Sequence, residues 1–365
     1  MKQTTAPTPG QPGRWVVSKF GPPSVLKWQT WDPLPTPSKD EVLISILVAG
    51  ASGADNIQRA GGYPDSRTRE PGFSQGYDFV GEIEALGPDV PQSLGLAKGD
   101  RVASMCTIGA YATHIVLPAG EILKLEKNDD PIQMCALPLN YMTAYGLLKR
   151  TGITLERGST ILIGSVSGGV GTAMAQLVAA FEMGITMYGT CSASKFDFVK
   201  SLGVTPIDRR DPDIVARVRE LTGGKMVDEA YDSVGGKESL AISAACVKKD
   251  TGHVVGLGVM SNIKPDGSGM LPTDFDTWDY VDNHMPNANF FAVTWNYYYP
   301  QKEQFRQDFE AVAEKVRTGR MKPFVGQLFR LSDAIKLNEY LVSGQGVFGK
   351  MEMLVDADLA KANGL

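Results

Sequence analysis

The sequence predicts an α/β protein in which a doubly wound parallel sheet is joined to a separate β-rich domain. From residue 160 onward, short apolar strands alternate with helical segments at the spacing of βαβ units. The first third of the chain instead shows short stretches of alternating apolar and polar residues, separated by Gly, Pro and Asp. A length of 365 residues and a hydrophobic content of 43% are sufficient for two cores.

The β-rich part follows a polar tail. Residues 1–13 are rich in Pro, Thr and Gln, and such a composition cannot bury enough apolar surface to offset the entropy of ordering. We therefore expect a disordered tail there. The run EVLISILV from Glu41 predicts the first long strand, and further strands are predicted at residues 79–86, 101–104 and 111–117.

The second domain repeats strand and helix. Its predicted strands are residues 160–163, 185–189, 205–207, 227–231, 253–257 and 289–293, and its predicted helices are residues 169–181, 194–202, 212–221 and 237–246. Residues 261–286 interrupt this alternation with Asp, Pro, Gly and aromatic residues. Since so long a loop in a compact domain is usually functional, we interpret it as a cleft-edge or subunit-contact segment.

The C-terminal part carries an amphipathic helix at residues 303–318, and then a helix and a strand within FRLSDAIKLNEYLVSG and GKMEMLV. We expect these last elements to return to the first domain, because a β-rich fold with open edges has a use for them.

Composition excludes several classes of protein. The balance of 36 Lys and Arg against 41 Asp and Glu gives a net charge of −5, which disfavours binding to nucleic acid. No segment approaches the roughly 18 consecutive apolar residues of a membrane span, and the N-terminus lacks the apolar stretch of a signal peptide. We therefore expect a cytoplasmic protein. The four cysteines are far apart and form no C-x-x-C pair, which predicts buried free thiols.

A glycine-rich turn is the clearest functional motif. The strand TILI is followed by GSVSGGVG, residues 164–171, and then by the helical sequence TAMAQLVAAF. Strand, glycines and helix in this order predict a phosphate-binding turn, because glycines let the backbone approach a pyrophosphate and a helix N-terminus offers free N–H groups. The strict G-x-G-x-x-G pattern is not met, since Val166 occupies its first glycine position.

The cofactor preference follows from the end of the second strand. A site that prefers NAD places an acidic residue there, whereas this chain has YGTCSASK, residues 188–195. The small residues, the hydroxyls and Lys195 leave room and positive charge for a 2′-phosphate, so NADPH is favoured over NADH. Arg209 follows the third strand and is either a second cation of this site or an ordinary surface arginine.

Taken together, these stretches resemble the quinone oxidoreductase branch of the medium-chain dehydrogenase/reductase superfamily over residues 16–355. The matching stretches are GASGADNIQRAGGYP, GYDFVGEIEALGPDV, GDRV, ALPLNYMTAYGLL, IGSVSGGVG, VDEAYDSVGG and FGK. The resemblance implies a GroES-like catalytic domain from residues 14–135 and 300–365 and a Rossmann domain from residues 136–299. It also implies an active site in the cleft and the possibility of a homodimer.

The resemblance further implies that no metal takes part. Zinc-dependent relatives bind catalytic zinc through a Cys, a His and a third Cys or carboxylate, and these positions correspond here to Ser52, Tyr77 and about Leu139. The four close cysteines of a structural zinc lobe are also missing. Many quinone oxidoreductases carry an Asn in an N-x-x-D pattern, of which only Asp55 remains, because Ser52 replaces the Asn.

Without a metal, hydride transfer is easiest to a conjugated acceptor, whose negative charge delocalises onto an oxygen. The candidate catalytic residues are Tyr63, Tyr141 and Ser52, each of which could instead be a packed or turn residue. The candidate cofactor-binding residues are Thr143, Ser167, Gly168, Gly169, Val170, Thr190, Ser192, Lys195, Arg209 and Gly258. The predicted activity is NADPH-dependent reduction of a small quinone or α,β-unsaturated carbonyl compound.

Two alternatives stay open. One is a trans-acting enoyl reductase for a carrier-bound polyketide intermediate. The other is a protein that binds NADPH without turnover, as happens when a fold is reused.

Overall fold

The computed structural model describes residues 3–4, 6–7 and 11–365, which form two compact units. One unit comprises Met1–Leu139, Ile263–Met270 and Val325–Leu365, and the other comprises Asn140–Asn262 and Leu271–Phe324. The domain boundaries that we expect at residues 135/136 and 299/300 differ from the limits of these two compact units, and they remain predictions. Of the expected disordered tail, residues 1–2, 5 and 8–10 lie outside the described residues, whereas Gln3–Thr4 forms a short strand.

The strands are, in chain order, β1 Gln3–Thr4, β2 Gly13–Val17, β3 Leu26–Thr30, β4 Glu41–Ala51, β5 Phe79–Leu86, β6 Arg101–Ser104, β7 His114–Pro118, β8 Leu123–Lys124, β9 Thr160–Ile163, β10 Thr186–Cys191, β11 Thr205–Asp208, β12 Glu229–Asp232, β13 His253–Gly256, β14 Ala288–Phe290, β15 Val325–Arg330 and β16 Lys350–Leu354.

The helices are α1 Gly53–Ala60, α2 Pro131–Cys135, α3 Met142–Lys149, α4 Gly169–Ala180, α5 Phe196–Ser201, α6 Ile214–Leu221, α7 Lys237–Cys246, α8 Thr277–His284, α9 Lys302–Arg317, α10 Ala334–Ser343 and α11 Ala357–Ala362. π-Helical turns are formed by Leu137–Tyr141 and Val293–Tyr298.

The first unit is built on strand β4, the predicted EVLISILV run. In the larger sheet the order is β15-β16-β4-β5-β6-β8, with β7 also paired to β4, and a smaller sheet has the order β1-β3-β2. Strand β16 pairs antiparallel with β4, which confirms that the C-terminal strand returns to the β-rich part. The core between the sheets contains Trp15 and Trp28, whose rings meet edge to face with centroids 5.7 Å apart.

The second unit contains a parallel sheet with the strand order β11-β10-β9-β12-β13-β14. Each neighbouring pair is parallel, so the chain runs outward from β9 in one direction and then outward from β12 in the other. This confirms the doubly wound sheet predicted from the sequence. In such sheets ligands bind at the carboxyl ends of the strands, where the strand order reverses, here between β9 and β12.

The prediction of a continuous loop over residues 261–286 was wrong. Helix α8 lies within it and begins after Asp276, whose side chain accepts a hydrogen bond from the backbone N–H of Asp279. Asp, Asn and aromatic residues are weak helix formers, which hid this helix, and the Asp276 cap was the available signal. Ile263–Met270 belongs to the first unit and is closed by an antiparallel bridge between Ile263 and Met270.

Two smaller expectations can be compared directly with the structure. All four cysteines are free and buried, as predicted. Within the described ranges, no helix is both long and apolar enough to cross a membrane.

Candidate active site

The glycine turn joins strand β9 to helix α4 in the second unit. Ser165 adopts a left-handed backbone with φ of 56°, which reverses the chain after the strand. Gly168 precedes the helix in an extended conformation and supplies no side-chain cap. The N–H groups of the first helical turn therefore have no capping side chain, which leaves them suited to a phosphate.

Two glycines of this turn are required by close packing. A Cβ at Gly171 would lie 2.5 Å from the backbone of Val166, and a Cβ at Gly169 would overlap the side-chain amide of Asn140. Val166, at the first motif position, is fully buried and packs where Gly189 has no side chain. The irregular motif is therefore explained by a buried valine that packs against a second glycine.

The face of the turn at Gly168 is open. A Cβ there would meet only the carbonyl oxygen of Ser165, at 3.2 Å. Ser167 is buried, whereas Gly168, Gly169 and Val170 are partly exposed. This uncrowded backbone at a helix N-terminus fits a pyrophosphate, which needs close approach to N–H groups.

The end of strand β10 holds the residues predicted to bind a 2′-phosphate. They are Thr190, Ser192, Lys195 and Arg209. The backbone N–H of Arg209 donates to the carbonyl oxygen of Cys191 at 2.8 Å, which holds Arg209 beside this strand end. Burial and the positive charge of Arg209 lower the pKa of Lys195. Two cations that repel each other in this way are suited to an anion with more than one charge.

Gly258 contributes by close packing of two loops. A Cβ there would overlap the carbonyl of Ser233, which lies in the loop after β12. That loop is held by buried Asp232, whose carboxylate accepts hydrogen bonds from the N–H groups of Val234 and Gly235 at 2.9 and 2.7 Å. Asp232 was not among the predicted site residues, although its position after an apolar strand in VDEAYDSVGG was an available signal.

Two further predicted residues lie at the start of helix α3. The Tyr141 hydroxyl donates to Gln176 and accepts from the backbone N–H of Phe324 at 3.1 Å. These two bonds engage the hydroxyl within the second unit, so Tyr141 is poorly placed to donate to a substrate as well. Thr143 is buried on the same helix.

The first unit holds Ser52 immediately before helix α1. The backbone N–H of Ser52 donates to the carboxylate of Asp55 at 2.7 Å. The hydroxyl of Ser52 is buried and has no hydrogen-bond partner among the described residues. A buried hydroxyl without a partner is costly, so this group is available to a ligand oxygen.

Asp55 links this residue to a second loop. Its carboxylate also accepts from the Tyr111 hydroxyl at 3.2 Å and from the backbone N–H of Gly76 at 3.3 Å. Burial raises the pKa of Asp55 to about 6, although the hydrogen bond from Ser52 opposes the rise. The backbone N–H groups of Ser52 and Gly76, the residue before Tyr77, therefore both donate to the carboxylate of Asp55.

Tyr63 and Tyr77 form a hydroxyl pair. Their phenolic oxygens lie 2.5 Å apart, and their rings meet edge to face with centroids 5.9 Å apart. Tyr77 is only 3% exposed, whereas Tyr63 is half-buried. The structure thus brings the predicted residue Tyr63 together with Tyr77, which the sequence indicated only as the replacement of a zinc ligand.

Asp78, which follows Tyr77 in the sequence, forms an ion pair with Lys350. The ammonium lies 2.8 and 2.7 Å from the two carboxylate oxygens, and both side chains are buried. Burial disfavours the charged ammonium, but the interactions with Asp78, together with smaller ones from Cys135 and Glu352, outweigh this effect, so the pKa of Lys350 is raised. Asp78 also accepts from the backbone N–H of Leu139 at 3.2 Å.

The positions that correspond to the zinc ligands of zinc-dependent relatives hold residues that do not bind zinc. In the described part of the chain, no three His, Cys, Asp or Glu side chains cluster in a way that could hold a metal ion. Ser52 and Tyr77 instead offer neutral hydroxyl groups. The parallel sheet has a glycine turn after β9, where the strand order reverses, and two cations, Lys195 and Arg209, beyond the end of β10. These features define the class of dinucleotide-binding proteins.

Comparison with known proteins narrows this class. A family model described as zinc-binding dehydrogenase matches residues 169–276, and one described as alcohol dehydrogenase GroES-like domain matches residues 38–127. Quinone oxidoreductase of Homo sapiens is 26% identical over 345 residues, covering 93% of this chain and 96% of the relative. A 2-haloacrylate reductase of Burkholderia sp is 26% identical over 356 residues, covering 94% and 98%.

A solved structure agrees in fold. The crystal structure of Escherichia coli quinone oxidoreductase complexed with NADPH matches with a TM-score of 0.80 and 25% sequence identity, covering 94% of this chain and 100% of that chain. The chain belongs to the medium-chain dehydrogenase/reductase superfamily, in its quinone oxidoreductase-like branch.

Proposed function

We propose that this protein, which is an NADPH-dependent oxidoreductase, reduces a conjugated acceptor, a quinone or an α,β-unsaturated carbonyl compound, without a metal. The observation that carries this proposal is the donor set of the first unit. Ser52 has a buried hydroxyl with no partner among the described residues, and Tyr63 and Tyr77 share a hydroxyl pair. These neutral donors suit an acceptor oxygen on which charge develops.

The second unit supplies the residues that would hold NADPH. In this proposal the N–H groups at Gly169 and Val170 bind the pyrophosphate, and the side chains of Lys195 and Arg209 bind the 2′-phosphate. When bound, NADPH supplies a hydride from C4 of its nicotinamide. Gly168 leaves the approach open because a Cβ there would meet only one backbone oxygen.

The donor set also limits the acceptor. Hydroxyl groups stabilise a developing negative charge less than a metal ion does, so the substrate must spread that charge itself. A conjugated carbonyl does this, since the hydride adds to carbon while the charge moves to oxygen. Reduction of an isolated carbonyl places the whole negative charge on one oxygen. Stabilising that charge requires a stronger electrophile in the site, such as a metal ion.

Relatives support the same reaction. The E. coli relative is a quinone oxidoreductase complexed with NADPH. The Burkholderia relative is named for 2-haloacrylate, whose C=C bond is conjugated to a carboxylate. Each of these acceptors is conjugated, as the donor set requires.

The Ser52→Ala variant tests this proposal. Loss of the hydroxyl should lower kcat/KM for a conjugated acceptor by about tenfold, equivalent to one hydrogen bond of about 1.4 kcal/mol, with no change in the NADPH dissociation constant. Ser66→Ala is the control, because Ser66 is exposed in the same unit. Unchanged kcat/KM in Ser52→Ala would contradict the assignment of Ser52.

A further inference from the structure

Asn140 is a buried polar residue that the predicted site does not include. It is the first residue of the second unit, it lies in the π-helical turn Leu137–Tyr141, and it is only 5% exposed. π-Helical turns are rare and occur frequently at functional sites. A side chain with a function is therefore expected in this turn.

The side-chain amide of Asn140 lies against the start of helix α4. A Cβ on Gly169, the first residue of that helix, would overlap Nδ2 of Asn140, whereas Oδ1 lies 3.6 Å from the same point. The donor nitrogen, rather than the acceptor oxygen, is therefore the part of the amide that adjoins the helix N-terminus. Asn140 and Gly169 belong to the same compact unit.

The amide of Asn140 also lacks a partner. Among residues 3–4, 6–7 and 11–365, no group forms a hydrogen bond with its side chain. A primary amide has two N–H donors, and leaving them unbonded in a buried position costs free energy. A ligand with acceptor oxygens at the start of helix α4 would remove this cost.

The start of helix α4 suits an anion but provides no cation for it. The first helical turn has no side-chain cap, so its N–H groups are available. Neither the glycine turn, residues 164–171, nor the helix itself contains a charged side chain. Within these elements, an anion can be held only by neutral donors, and the Asn140 amide is one more such donor at the same place.

We propose that the side-chain amide of Asn140 donates a hydrogen bond to the pyrophosphate of NADPH, an inference that rests on the placement of NADPH in the proposed function. The missing Cβ of Gly169 leaves the space that the amide occupies. Because NADPH and NADH share the pyrophosphate, Asn140 contributes equally to the affinity for both. Lys195, in contrast, acts on the 2′-phosphate, which only NADPH carries.

Two substitutions separate the donor from the space that it fills. Asn140→Ala removes the donors, and Asn140→Asp keeps the size but places a carboxylate beside the phosphate. We expect Asn140→Ala to raise the dissociation constants of NADPH and NADH by the same factor of about ten, the loss of one hydrogen bond to a charged group. Asn140→Asp should raise both constants further, because like charges repel. Fluorescence titration measures these constants.

A residue that only fills space would give the opposite order, because aspartate preserves the shape of asparagine and alanine does not. Weaker binding in Asn140→Ala than in Asn140→Asp, or unchanged constants in both variants, would overturn the inference. Adenosine 2′-monophosphate, which lacks the pyrophosphate, should bind Asn140→Ala as it binds wild type. An equal loss of its affinity would mean that the substitution disturbs the whole site, and would also overturn the contact.

The control is Asn283→Ala, the same change at an exposed position on helix α8, where the amide donates to Asp279 at 3.0 Å. This variant should bind both cofactors as wild type does. The dissociation constants do not depend on turnover. Absence of turnover with every conjugated acceptor would therefore overturn the proposed reaction, whereas the binding constants alone decide the role of Asn140.

Discussion

Lys350 binds both carboxylate oxygens of Asp78, at 2.8 and 2.7 Å, across 272 residues of sequence. The pair joins strand β16 near the C-terminus to the residue before strand β5. Because Asp78 directly follows Tyr77 and also accepts a hydrogen bond from the backbone N–H of Leu139, the ion pair anchors the segment that carries Tyr77. The motifs FGK and GYDF are far apart in the sequence, and the fold brings them into contact.

The Lys350→Met variant should be strongly destabilised. Removing the ammonium leaves a fully buried carboxylate without its counter-ion, which typically costs about 3 to 5 kcal/mol of the free energy of unfolding. Urea denaturation measures this loss. Lys336→Met, at an exposed position on helix α10, is the control, with an expected change within about 0.5 kcal/mol. A loss in Lys350→Met no larger than in the control would disprove the role of the pair.

Asp55 predicts a pH dependence of stability. Burial raises its pKa from 3.8 to about 6, so the folded state binds this proton more tightly than the unfolded state. Its stabilising contribution is therefore full below the unfolded pKa and is lost as the pH rises through the folded pKa. Between pH 5 and pH 8, the loss is roughly 1 to 2 kcal/mol.

Asp55→Asn isolates this contribution because an amide does not titrate. We subtract the unfolding free energy of the variant from that of wild type at each pH. This difference should fall by roughly 1 to 2 kcal/mol from pH 5 to pH 8. Chemical denaturation at both pH values measures it. A pH-independent difference would mean that the folded pKa of Asp55 is not raised.

Lys195→Ala should weaken NADPH binding by roughly tenfold or more, since one charge-assisted contact of about 1.5 to 3 kcal/mol is lost. NADH, which lacks the 2′-phosphate, should bind as before. Fluorescence titration of both cofactors gives the constants. Lys200→Ala, at an exposed position on helix α5, is the matched control. Equal NADPH affinity in Lys195→Ala and wild type would remove Lys195 from the phosphate site.

Gly169→Ala should also weaken NADPH binding, because the new methyl group meets the side-chain amide of Asn140. Truncation of that neighbour, in Gly169→Ala/Asn140→Ala, should restore part of the affinity. Gly171→Ala is the comparison, since its methyl group would meet the backbone of Val166, which truncation of a side chain cannot relieve. Failure of the second substitution to recover any affinity would exclude this steric explanation.

Much of the fold was predictable because it follows from local pattern. The strand TILI, the glycine turn and the helix after it were predicted at their observed places, and helix α7 has the predicted bounds of residues 237–246. Helix α8 was missed because its weak helix formers are stabilised by packing, including Val281 against the core. Such packing depends on residues distant in sequence.

The candidate site was predictable only in part. Tyr63, Lys195 and the glycine turn were identified from motifs, and their roles stay predictions. The roles of Tyr77, Asp55 and Lys350 depend on hydrogen bonds between loops and strands far apart in sequence. No local pattern encodes such contacts, so the sequence alone could not assign them.

The most direct test of the proposed function is NADPH oxidation at 340 nm by the purified protein across quinones, enones, enals and saturated aldehydes. We expect turnover of the conjugated acceptors and none of the saturated aldehydes, with NADPH preferred over NADH. Saturated aldehydes reduced as fast as enones, or tight NADPH binding with no turnover of any conjugated acceptor, would contradict it.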